Sequence, residues 1–260
     1  MNLLRERYRI ASCTDKGCVK DVNQDSFSVQ KMLIHGKEVL LAVVCDGMGG
    51  LEKGEVASVM VSARFEKWFA QELPVIMESA DFSSRILNSW DRMLQEENQA
   101  LVYYGREQGF DLGTTVTAML FIEQQYFITH VGDSRAYEIS KKLRQLTEDQ
   151  TLVASEVAKG TLTMEQARKD SRKNILLQCV GVTPSLHPAY IRGKIQKNTV
   201  YLLCSDGFRH KLSDDEIHEA FYPKRVKRQK ALEKRCQEMV ALNMERGERD
   251  NITVVAVFSG

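Results

Sequence analysis

The 260-residue chain has little proline, only 4 residues, and no Pro-, Gly- or Ser-rich stretch or internal repeat. That excludes flexible multidomain strings and solenoids. It lacks an excess charge: 36 Lys and Arg face 35 Asp and Glu, a formal net charge of +1. No global attraction to nucleic acid or acidic lipid follows, so neither is an expected partner. Long hydrophobic runs are missing too. The longest, Val39–Cys45, falls far short of the ~20 residues of a membrane helix. The start, MNLLRERYRI, carries charge where a signal peptide would be apolar, so a cytoplasmic protein is expected. Six cysteines at 13, 18, 45, 179, 204 and 236 form no CxxC pair and read as buried free thiols. With 43% hydrophobic residues, the chain has enough apolar material for a folded core.

The patterning predicts one α+β domain over 1–260. VLLAVVCD (39–46) reads as a buried strand entering the glycine-rich GMGG. Helices are expected over Gly54–Leu73, with Val56, Val59, Met60, Ala63 and Phe69 inward, and over Ser83–Tyr104 behind a Ser-Ser cap. The β-rich runs Thr114–Ile122, Gln125–Val131 and Arg135–Ser140 suggest an antiparallel meander. Residues 148–173 suggest short surface helices. Further strands are expected at Ile175–Val180, Tyr190–Ile195, Val200–Ser205 and Ile252–Phe258. Helices are expected near Asp214–Tyr222 and Arg225–Glu245.

The chemistry sits where apolar runs stop. Asp46 follows VLLAVVC, Asp133 follows FITHVG, Asp206 follows VYLLCS, and Asp250 precedes NITVVAVF; Asp25 lies in NQDSF. Any one of them reads as a turn former or cap. Four at the ends of stiff elements form a pattern. Clustered carboxylates repel unless a cation lies between them, and an oxygen-only set favours Mg²⁺ or Mn²⁺. Two such ions can hold water and a phosphoryl oxygen together.

The segments TDKGCVKDVNQDSF (14–27), VVCDGMGG (43–50), GTTVTAML (113–120), HVGDSRAY (130–137), QLTEDQTLV (145–153), LLCSDGF (202–208) and DNITVV (250–255) resemble, in order, the type 2C metal-dependent protein phosphatases in their compact bacterial form. The resemblance implies two packed, mostly antiparallel sheets flanked by helices on both sides. It implies hydrolysis of phosphoserine and phosphothreonine in proteins by a metal-bound hydroxide, without a phosphoenzyme. It also implies two Mn²⁺ or Mg²⁺ ions per monomeric chain, phosphoprotein substrates and a cognate serine/threonine kinase. By position, Asp46 would bridge the ions and the Gly47 carbonyl would complete one. Asp206 and Asp250 would bind the other. Asp25, beside Gln24, would orient water, and Asp133 with Asp206 would match a weaker third ion. Residues near 148–173 resemble the family's flap beside the active site.

Three positions depart from the family pattern. Lys20 stands where an arginine usually grips the phosphate, with Arg9 as a candidate helper; lysine brings charge without a bidentate fork. Met48 follows the DG pair where some members place an acid histidine. His210 stands four residues after Asp206, where a carboxylate or Asn often supports the third ion. It reads as solvent-facing or capping rather than as a ligand. His130, before the VGD turn, reads as a satisfied interior histidine. KRVKRQK (224–230) lacks interleaved aromatics and reads as a solvated helix face. Two other readings stay open at this stage: a non-catalytic relative that binds phosphoproteins, and a phosphatase for small phosphoesters.

Overall fold

The computed structural model describes residues 7–48 and 53–260. The charged first six residues and the Gly49–Gly50 end of DGMGG lie outside the described residues. In chain order, the elements begin with β1 (Tyr8–Asp15), β2 (Asp25–Ile34) and β3 (Lys37–Asp46). Helices α1 (Gly54–Gln71), α2 (Leu73–Ile76) and α3 (Phe82–Gln108) follow, then β4 (Val116–Ile122), β5 (Gln125–Val131), β6 (Arg135–Ile139) and β7 (Leu143–Gln145). Next come α4 (Leu152–Ala158), α5 (Met164–Lys169), β8 (Ala189–Lys194) and β9 (Thr199–Cys204). The chain finishes with α6 (Asp206–Arg209), α7 (Asp214–Ala220), α8 (Gln229–Glu245) and β10 (Ile252–Ser259).

Two five-stranded sheets form, ordered β1-β10-β9-β6-β7 and β2-β3-β4-β5-β8, and every pairing is antiparallel. Strict alternation builds three apolar layers. On β3, Leu40, Ala42 and Val44 meet Tyr201, Leu203, Val255 and Val257 of the other sheet. Val39, Leu41, Val43 and Cys45 face α1 and α3. On β10, Val254, Ala256 and Phe258 face the α7–α8 side. A one-residue slip of either strand would exchange its two apolar layers, so register rests on shape and turn position more than on polarity. The expected helix–sheet–sheet–helix sandwich is present.

Four local expectations need correction. The meander breaks after β5: β6 pairs with β9 in the other sheet. Gly132, at φ +104°, turns the chain across between them, a conformation that L side chains avoid. Ile175–Val180 is not a strand. It makes isolated bridges, Leu176 to Thr151 and Val180 to Thr114, and Ile175 and Leu177 are exposed. The buried stripe of α1 is Ala57, Val61, Phe65 and Trp68, while Val59 is 55% exposed. Sequence patterning misses that face because Ser58 and Ser62 share it. Their hydroxyls bond the Gln24 carbonyl and Ser26 at 2.6 and 2.8 Å, so polar residues sit comfortably inside. Finally, α3 starts at Phe82, just after Asp81, and Ser83 and Ser84 lie within it without capping. Of the cysteines, Cys45, Cys179, Cys204 and Cys236 are buried, whereas Cys18 is exposed.

Candidate metal centre

The candidate residues come from five separate element ends. Asp25 opens β2 and Asp46 closes β3, directly opposite each other in the ladder. Asp206 opens α6 after β9, and Asp250 immediately precedes the Asn251–Ile252 entry into β10. The last two approach very closely. A methyl group added at Gly207 would stand 2.1 Å from the Asn251 carbonyl oxygen, so only glycine fits the SDG turn against the DN turn. Asp133 follows Gly132 at the crossover into the second sheet.

Hydrogen bonds lock these turns together. Asn251 is the hub: its Oδ1 accepts from the Gln24 amide at 2.9 Å, and its Nδ2 donates to the Lys16 and Val22 carbonyls at 2.9 and 3.1 Å. The loop carrying Lys20 is thereby fixed to the β10 entry. Ser205 donates to Asp25 Oδ2 at 2.7 Å and accepts from the Thr253 amide at 3.0 Å. The Thr115 hydroxyl accepts from the Asp46 amide at 3.0 Å, and the Gly47 amide donates to the Gln24 carbonyl at 3.1 Å. Sequence reasoning missed Asn251 and Ser205. Their signal lay in their adjacency to Asp250 and Asp206.

The electrostatics show the carboxylates converging. Burial, then the neighbouring Asp25, Asp206, Asp133 and Asp250 charges, push Asp46 well above the usual carboxylate range. Burial also lifts Asp25 to about 7, against hydrogen bonds from Thr253 and Ser205 and with help from Asp206 and Asp250. Asp25 Oδ1 is buried without a partner. Asp206 is desolvated as well, yet His210 and Arg209 hold it low.

The remaining predicted residues divide. Lys20 reaches the site, its Nζ 3.1 Å from Asp250 Oδ1. Arg9 does not. It lies against the Phe258 ring, at the opposite end of β10 from Asp250. His210 is not solvent-facing: its Nε2 is 3.2 Å from Asp206 Oδ2 and its Nδ1 3.6 Å from Glu248 Oε1. Burial opposes its charge, but those two carboxylates raise it to about 9. His130 is fully buried, bonded to Thr117 at 2.9 Å and the Glu148 carbonyl at 3.0 Å, as expected of an interior histidine. Arg209 was missed entirely. It donates to Asp133 at 3.2 Å.

Among the described residues, no three His, Cys, Asp or Glu side chains stand gathered at metal-ligand spacing. Several carboxylates are turned toward Lys20, His210, Ser205 or Arg209 instead. The donor set around Asp46 nonetheless fits a hard divalent pair. It is oxygen-only, crowded with like charge, and contains the buried, unpartnered Asp25 Oδ1.

The chain matches the model of the Protein phosphatase 2C family over residues 18–243. It is 33% identical over 250 residues to the serine/threonine phosphatase Stp of Listeria monocytogenes, covering 94% of this chain and 93% of that protein. The solved serine/threonine phosphatase of S. agalactiae superposes with a TM-score of 0.83 at 28% identity, covering 97% of this chain and 100% of that one. The catalytic domain of the serine/threonine protein phosphatase PstP, solved in complex with 2 manganese ions, gives a TM-score of 0.78 at 28% identity over 96% and 97% of the two chains. With its ordered carboxylate turns and its αββα sandwich, this chain belongs to the Protein phosphatase 2C family, in its compact bacterial form.

Proposed function

We propose that this chain, a metal-dependent serine/threonine protein phosphatase of 2C type, uses Asp46, the Gly47 carbonyl, Asp206 and Asp250 to hold two Mn²⁺ or Mg²⁺ ions. The convergence of carboxylates on Asp46, each raising the cost of ionising it, is the observation that carries the reading. When bound, the ions supply Lewis acidity, which eases ionisation of water and offsets charge on the phosphoryl oxygens.

The protein's own groups arrange the rest. Ser205 holds Asp25 Oδ2, which leaves the unpartnered Oδ1 free to orient an attacking water. Lys20 brings positive charge to the phosphoryl group from the loop pinned by Asn251. Water attacks phosphorus in line and the serine or threonine oxygen leaves. Met48 offers no proton there, so the leaving oxygen takes one from water.

Protein substrates suit the site better than small phosphoesters. A groove of about 340 Å³ runs beside Asp250, walled by Val19, Lys20, Lys173, Asn174, Lys211 and Arg249. It is wider than a phosphate group needs, and its Lys173–Asn174 wall ends the 148–173 flap segment. That segment is proposed to select phosphoproteins. Removing it should change activity on phosphopeptides more than on an aryl phosphate. A cognate serine/threonine kinase rests on the family resemblance alone.

The test strips metal with chelator and restores Mn²⁺ with an aryl phosphate, for the wild type and for Asp46→Asn and Asp206→Asn. Mn²⁺-dependent turnover that disappears in both variants is expected. A folded wild type that stays inactive with Mn²⁺ and Mg²⁺ would leave only a phosphoprotein-binding role.

A further inference from the structure

Asp133 and Asp206 are the two carboxylates that a third ion would need, and each already has a side chain of this protein against it. Arg209 Nη2 donates to the Asp133 carboxylate and to its backbone carbonyl, both at 3.2 Å. The same Nη2 lies 3.5 Å from Asp149, which Arg135 grips bidentately at 2.7 Å through both oxygens. The Arg209 and Asp133 side chains are only 15% and 8% exposed. His210 covers Asp206 Oδ2 from the other side.

A divalent ion between Asp133 and Asp206 does not fit this arrangement. It would sit beside a guanidinium that cannot lose its proton, and like charges a few Å apart repel strongly where water is scarce. Evicting Arg209 would strand a largely buried cation without its partner, which is strongly unfavourable. Arg209 is also tied to Asp149, so its position does not depend on Asp133 alone.

We infer that Arg209 is a built-in substitute for the third ion, fixing a permanent positive charge at Asp133 and leaving a two-ion enzyme. The inference rests on the two-ion reading above and adds the count. Arg209 is a positioning residue: it reaches Asp133 and Asp149, and it borders Asp206 one turn away on α6. Its effect is to balance that flank of the acidic cluster without drawing a metal from solution.

The test is a count of Mn²⁺ per chain, by equilibrium dialysis with metal analysis and by calorimetric titration into the millimolar range. Melting curves establish that each protein is folded. The wild type should bind two ions. Arg209→Ala should gain a third, weaker one, because Asp133 loses its resident counter-charge. Arg209→Lys should stay at two. Asp133→Asn in the otherwise unaltered chain should also stay at two, an outcome that needs no change at Arg209. Three ions in the wild type, or a count that falls in Asp133→Asn, would overturn the inference while sparing the two-ion site. A count of two in folded Arg209→Ala would overturn it as well. No bound Mn²⁺ at all would remove the two-ion reading and this inference with it.

Discussion

The acidic end of the sandwich has two flanks with opposite chemistry. Around Asp46, carboxylates crowd one another with hydroxyls, Lys20 and His210 as partners, and burial, reinforced by that crowding, pushes Asp46 and Asp25 upward. Around Asp149, two arginines converge and hold that carboxylate below its usual range despite its burial. The comparison separates charge that awaits a ligand from charge that has been settled by the fold. Uncompensated carboxylates on rigid turns are costly in the free protein and useful only when a cation arrives. The compensated flank serves as a frame.

Removing a charge from each flank tests the contrast most sharply. Asp46→Asn should lower aryl-phosphate turnover by on the order of 10³-fold, since several kcal/mol of transition-state stabilisation leaves with the ions. In metal-free protein the same substitution should not destabilise; relief of repulsion should raise Tm by roughly 2–4 °C. A metal-free Tm that drops instead would contradict the crowding around Asp46. On the other flank, Arg135→Met should destabilise by roughly 3 kcal/mol in urea melts, because Asp149 keeps only the neutral Gln145 amide and the more distant Arg209. A change below about 0.5 kcal/mol would show that pair to be incidental.

Acid tests the frame through His130. Burial lowers its folded pKa to about 4 from 6.5, so the unfolded chain binds its proton first. Its contribution is intact above about pH 6.5 and is lost as pH falls toward 4, about 3 kcal/mol in all. Denaturant titrations at pH 7 and pH 4.5 should therefore differ less in His130→Gln than in the wild type. The smallest expected effect belongs to Lys20→Arg. A guanidinium there should improve kcat/KM on phosphopeptides by roughly 3–10-fold through bidentate phosphate contact. No gain would mean that Lys20 serves Asp250 rather than substrate.

Much of this molecule was legible from local pattern. The continuous apolar runs of β3 and β10, the helical stripe Ile86–Trp90–Leu94–Leu101, and the aspartates at apolar-run ends all follow short-range rules, and the structure keeps them. What escaped is non-local. The crossing of β6 into the second sheet depends on which partner strand is free, which no window around Arg135 records. The buried serines of α1 looked like an exposed face because their partners, Gln24 and Ser26, lie 34 and 36 residues away. Arg209 was invisible for the same reason: Asp133 is 76 residues distant. His210 looked solvent-facing until Glu248 closed over it.

The amino-acid sequence by itself determined an α+β domain with mostly antiparallel sheet, the order of its carboxylate turns and the oxygen-only character of the site, while the sandwich followed from the resemblance of its ordered motifs to the 2C phosphatases. The first three follow from apolar runs and from glycine beside aspartate within a few residues. Only the tertiary structure decided which of those carboxylates keep their charge unanswered and which are answered by an arginine or histidine. Ion pairing acts over a few Å of space, and chain separation carries no memory of that distance.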